Sequence, residues 1–137
     1  MDEALLAAYR ATAYRVRLAG GGRATIRVGH PPPTALQALI GSRTWGFITA
    51  WNPGSQPAPV AINRRGQRGL FDTLRALPET LSIHPGCGIG TSGWREPSLF
   101  VIGPSMDALD TLARRYGQNA YLQGRGQAAA QLRLLCG

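Results

Sequence analysis

No lysine occurs in this sequence, so all 15 of its basic residues are arginines. Acids are also scarce: the seven carboxylates leave a formal net charge of +8 at pH 7. Cysteine is nearly missing, and Cys87 and Cys136 are too few to knit the disulfide framework of a small secreted domain. With His30 and His84 they make up the whole stock of sulfur and imidazole ligands, and only His84 and Cys87 stand at ligand spacing. That argues against a closed zinc site, and no metal is expected. No stretch approaches the roughly 20 apolar residues of a membrane span, so no membrane partner is expected. Met1-Asp2-Glu3-Ala4-Leu5-Leu6 lacks the basic flank and cleavage site of an export signal, and the expectation is a cytoplasmic location. The sequence has no Ser-His-Asp signature, nucleophile elbow or paired-carboxylate pattern, which favours a non-enzymatic protein without a cofactor.

What remains is 137 residues, 44% of them hydrophobic, enough for one domain spanning 1–137 with a core of its own. The charge is lopsided. Residues 1–70 hold nine arginines against Asp2 and Glu3, whereas residues 71–137 hold six against five acids. The basic field belongs to the N-terminal half, where it attracts polyanions at long range.

Spacing assigns the elements. Leu5, Leu6, Tyr9 and Ala13 make the apolar stripe of a short N-terminal helix. Tyr14, Val16 and Leu18 alternate with Arg15 and Arg17. After Gly20-Gly21-Gly22, Ala24, Ile26 and Val28 alternate with Arg23, Thr25 and Arg27, which predicts a hairpin with one core face and one arginine face. Pro31-Pro32-Pro33 ends the strand, and Thr34 is the expected cap of a crossover helix that stops at Gly41. Thr44 to Trp51 reads as a central strand. Val60 to Leu77 reads as a helix with Leu70, Phe71, Leu74 and Leu77 inside and Arg64, Arg65 and Arg68 outside. Thr80 to Ile83 is a short strand, Pro85 to Gly93 a glycine-rich loop, and Leu99 to Ile102 a strand. Ser105 caps a helix that carries Leu109, Leu112, Ala113 and Tyr116 inward, and Gly117 ends it. Ala120–Leu122 and Gln131–Leu135 close the sheet. The fold class is α+β, a mostly antiparallel sheet of five to seven short strands with three or four helices.

Four constellations bear on chemistry. Arg15, Arg17, Arg23 and Arg27, extended by Arg64, Arg65 and Arg68, form a candidate nucleic-acid surface, because like charges facing one another on a sheet repel unless an anion lies across them. The glycines from Gly86 to Gly93 resemble a phosphate-binding loop only in composition, since no helix follows to receive the phosphate. His84 and Cys87 offer a base and a thiol three residues apart, or a small incidental thiol beside a histidine. A polar set, Asn52, Ser55, Asn63, Glu96, Ser98, Gln118 and Asn119, falls at element ends, where the same residue types serve as caps and turns; spacing alone gives them that structural role.

Ile48-Thr49-Ala50-Trp51-Asn52-Pro53-Gly54-Ser55, then Asn63, then Glu96-Pro97-Ser98-Leu99, then Tyr116-Gly117-Gln118-Asn119-Ala120 in that order resemble a small bacterial family of unknown function. Its members share ITAWNP.S, an asparagine-bearing helix, EPS before a strand and FGQ.A after a helix, and the resemblance covers about residues 44–122. Tyr116 stands where a phenylalanine is usual, and Gly66 and Gly69 loosen a helix expected to be firmer. The resemblance implies a variant of the Sm-like bent barrel, a fold often used for RNA binding or ring formation, and an RNA or other polyanion partner. A homo-oligomer paired through edge strands fits either function. It also raises an alternative: Trp51, Asn52, Ser55, Asn63, Glu96, Ser98 and Gln118 converge on one polar cleft of a small-molecule binder or enzyme.

Overall fold

The arginine-bearing hairpin forms where the alternation places it: β1 (Ala13–Arg17) pairs antiparallel with β2 (Arg23–Ile26), and Tyr14 faces Ile26. In the computed structural model, which describes residues 2–135, this hairpin is one end of a seven-stranded sheet. The remaining strands are β3 (Thr44–Ile48), β4 (Ser82–Ile89), β5 (Arg95–Ile102), β6 (Ala120–Arg125) and β7 (Gln131–Leu134). Their order is β2-β1-β4-β5-β3-β6-β7, and every neighbouring pair is antiparallel, so the sheet is a curled half-barrel with β2 and β7 as its edges. Four helices complete an α+β fold: α1 (Glu3–Ala11), α2 (Thr34–Ile40), α3 (Val60–Ala76) and α4 (Met106–Arg115). No helix among the described residues is long and apolar enough to cross a membrane.

Period-two alternation gives the sheet two buried faces. On one, Tyr14, Val16, Ile26, Trp45, Phe47, Phe100 and Leu122 pack with Leu36 and Ile40 of α2. On the other, Ile48, Leu99, Val101 and Tyr121 pack with Leu70 and Leu74 of α3 and Leu109, Leu112 and Ala113 of α4. At ~25 cal/mol per Å², each large side chain so buried contributes about 1.5–3 kcal/mol against the entropy of ordering the chain. Ser105 caps α4 by accepting from the Ala108 N–H at 3.2 Å, as expected. Thr34 is no cap: it is the first residue of α2, and the cap position is taken by Pro33, which is extended and offers no side-chain hydrogen bond.

The main departure from expectation is the stretch from Pro85 onward. It is no loop, because β4 runs through it to Ile89 and pairs with β1 and β5 along its length. The glycines are there for packing. A Cβ on Gly86 would sit 2.7 Å from Phe47 Cε2 and 3.2 Å from the Arg15 carbonyl, so only glycine lets the Phe47 ring lie against this strand. Gly90 gives the same clearance to the Trp94 indole at the β4–β5 turn. β5 accordingly begins at Arg95, four residues before Leu99. In α3, a Cβ on Gly69 would meet the Tyr116 hydroxyl at 2.7 Å, and one on Gly66 would touch Ala50 at 3.4 Å. These glycines seat the helix against Tyr116, which offsets their low helix propensity.

Candidate functional site

Strand alternation also decides where the arginines point. Tyr14 and Val16 enter the α2 face, so Arg15 and Arg17 project from the other; Ala24 and Ile26 do the same for Arg23. Arg17 and Arg23 stand directly opposite each other, Arg15 faces Cys87, and Cys87 faces Pro97 two residues from Arg95. α3 and α4 cover this face over β3, β5 and β6, leaving an open groove of about 260 Å³ lined by Arg15, Arg17, Arg23 and Arg95 around Pro85, Gly86 and Cys87. A second groove of about 550 Å³ is lined by Trp51, Arg64, Gln67, Arg68, Phe71, Asp72 and Leu99. Leu99 is the register partner of Pro85, so the two separate grooves lie next to each other on one face across the β4–β5 pair and together are termed the trough.

The trough is electrostatically unbalanced. Among the described residues the one ion pair is Arg133 with Asp110, at 2.8 Å, and neither lines the trough. Its six arginines, four in the first groove and two in the second, have Asp72 as the single carboxylate in the lining. Two of the seven arginines expected there lie outside: Arg27 donates from Nη1 to the Ala11 carbonyl at 3.3 Å, and Arg65 is exposed on α3 but lines neither groove. Arg95 was not expected, because reading the glycine run as a loop hid the start of β5. Its period-two spacing to Pro97 and Leu99 was the available signal.

The polar set divides. Asn52 occupies a left-handed conformation, φ 46°, and its Oδ1 accepts from Asn63 Nδ2 at 2.8 Å and the Ala58 N–H at 3.1 Å. Asn63 is buried; its Oδ1 accepts from the Asn52 N–H at 2.9 Å, and its Nδ2 also reaches the Ala58 carbonyl. The two asparagines thus hold the 52–58 turn together. Gln118 Nε2 ties the Trp51 and Tyr116 carbonyls, each at 3.2 Å, and Ser98 Oγ donates to the Glu96 carbonyl at 3.1 Å. Trp51 turns away to the trough, and Asn63 lines no groove. Asn52 and Ser55 meet Glu96 in one groove, and Ser98 and Gln118 meet it in a cavity beneath, so four of the other six gather around that carboxyl.

Glu96 follows Arg95 on β5 and so points to the opposite face, toward Gly88 and Tyr14. The groove above it, about 250 Å³, lies between α1, the 52–57 turn and the Trp94 indole; the cavity beneath, about 30 Å³, is large enough to hold a water. Burial pushes the Glu96 carboxyl up to about 7, and no donor among the described residues is bonded to it. Tyr14 is pushed above the ordinary phenol range, chiefly by burial, and donates to the Tyr9 carbonyl at 2.7 Å.

His84 and Cys87 do not form a dyad. Three residues apart on β4, they project from opposite faces: His84 packs near Phe100 and contacts Ser82 Oγ at 3.1 Å, while Cys87 enters the arginine groove. Burial lowers the His84 pKa, favouring the neutral ring. Cys136 lies outside the described residues. Among those described, no cluster of three or more His, Cys, Asp or Glu could hold a metal ion.

Residues 48–121 match the family model described as a protein of unknown function, DUF3293. No curated protein and no solved structure matches the chain.

Proposed function

Because the chain belongs to this family, whose description names no activity, we propose its function from the trough itself: a non-enzymatic module that binds single-stranded nucleic acid, RNA foremost, along the arginines of β1, β2, β5 and α3. One observation carries the reading. Arg15, Arg17, Arg23 and Arg95 converge on one open groove with no carboxylate in ion-pairing distance, an arrangement whose mutual repulsion a phosphate backbone relieves. From β2 to β5 the arginines span three strand spacings, roughly 14 Å. Arg64 and Arg68 prolong that track, and half-buried Trp51 beside them offers a ring on which a base can stack. The reading rests on these side chains rather than on the Sm-like analogy, since a fold does not fix a function.

The test is a fluorescence-anisotropy titration of a labelled single-stranded RNA across a salt series. Each phosphate neutralised on a single strand adds about −0.7 to the slope of log K against log salt, so six arginines predict a slope near −4. Arg64→Gln with Arg68→Gln should lower its magnitude by about 1.4. Absence of binding at about 50 mM salt, or a slope near zero, would reject the proposal.

A further inference from the structure

On the other face of the sheet, the groove between α1, the 52–57 turn and Trp94 has a composition opposite to the trough. Fifteen arginines are spread over this chain, yet none lines this groove or the cavity beneath it, and Glu96 is the one charged residue in either lining. The walls are apolar and aromatic, with Leu5 and Tyr9 from α1, Pro57 from the turn and the exposed Trp94 indole. The carboxyl at the base is half-buried, and no donor among the described residues is bonded to it. A partly desolvated carboxyl left in this state is stabilised by a cation that brings its own donors.

We propose that this groove is a binding site for a small organic amine, its ammonium on the Glu96 carboxylate and its apolar body against Trp94, Tyr9 and Leu5. The ammonium supplies three N–H donors to an acceptor that has none, and the indole and phenol faces favour a cation over a neutral head group. An acid or phosphate ligand is disfavoured, because it would meet an anion with no arginine in reach. The inner cavity has room for one water to bridge the ammonium and the polar groups beneath.

The site has a pH signature. The titratable groups beside Glu96 are Tyr9 from α1 and Tyr14 from β1, the latter held above the ordinary phenol range chiefly by burial, whereas Tyr121 lines the cavity with its hydroxyl turned to Asp110 on the other face. With the carboxyl titrating at about 7, amine affinity should rise roughly tenfold between pH 6 and pH 8, with a proton released on binding. The experiment is calorimetric titration of the full chain with phenethylamine and with phenethyl alcohol at both pH values, with the Trp94 indole N–H followed by NMR. The expected result is amine binding that strengthens tenfold with pH and shifts the Trp94 signal, alcohol binding at least tenfold weaker, and loss of the preference in Glu96→Gln. Equal binding of alcohol and amine, an unchanged preference in Glu96→Gln, or no heat and no Trp94 shift at millimolar amine would each overturn it. None of these results touches the trough.

Discussion

Replacing Glu96 by glutamine should stabilise the protein in alkaline but not in acid solution. An ordinary glutamate has a pKa of 4.5, and burial holds this one at about 7. Folding therefore takes up a proton between those values. The folded form is favoured while the carboxyl is protonated; stability is lost as pH rises from about 4.5 and levels off once Glu96 ionises above about 7. At 1.36 kcal/mol per pKa unit the loss reaches at most about 3 kcal/mol. Glutamine keeps the shape and stays neutral, so above pH 8 Glu96→Gln should be more stable than the parent by up to about 3 kcal/mol, raising Tm by about 5–12 °C. At pH 4.5 and below the two proteins should coincide, because both then bury a neutral group. Urea unfolding of each protein from pH 4 to 9 gives the comparison, and the other titrating groups cancel in the difference. A constant offset at all pH values, or a Gln variant less stable than the parent at pH 8, would refute the burial argument.

Four other outcomes follow from the geometry. Gly86→Ala forces a methyl into the Phe47 ring and the Arg15 carbonyl, and should cost about 1–3 kcal/mol in thermal unfolding. Asn63→Ala removes the bonds that hold the 52–58 turn and leaves the half-buried Asn52 N–H without its acceptor, a loss of about 1–2 kcal/mol by urea denaturation. Asp110 accepts from Arg133 and from Tyr121, at 2.7 Å, and the Arg133 guanidinium foremost holds its pKa below the usual range. Its contribution is present at neutral pH and lost as pH falls through that lowered value, so Asp110→Asn should flatten the acid limb of a stability–pH curve. Alkylation of Cys87 with a bulky maleimide, in a Cys136→Ser background, should block oligonucleotide binding by filling the arginine groove while leaving Tm nearly unchanged.

Much of this architecture is legible in local pattern. Alternation through Tyr14, Val16, Ala24 and Ile26 specifies the hairpin and the side on which its arginines stand, and the spacing of Leu70 and Leu74 specifies the buried stripe of α3. β4 is not legible, because its glycines answer to Phe47 and Trp94, partners distant in sequence or across a turn, whereas glycine within a short window signals a turn. That misreading also concealed Arg95 and split the expected pocket, since which face Glu96 occupies depends on where β5 starts. Gly66 and Gly69 show the same limit: their use becomes apparent once Tyr116 and Ala50 are packed against α3. Asn52 and Asn63 are legible only as polar residues at element ends, since the bonds that join their side chains to each other and to Ala58 depend on how the turn meets α3.

The most direct test of the polyanion trough separates its position from its charge. Arg15, Arg17 and Arg23 changed together to glutamine should be compared with Arg43, Arg75 and Arg125 changed together, two triple variants of equal net charge whose arginines lie inside and outside the trough. Their affinities for the same labelled single-stranded RNA, measured at one salt concentration, decide the matter. The trough predicts a loss of at least tenfold for the first variant and little change for the second. An equal loss in both would make the binding a property of total charge and contradict the site.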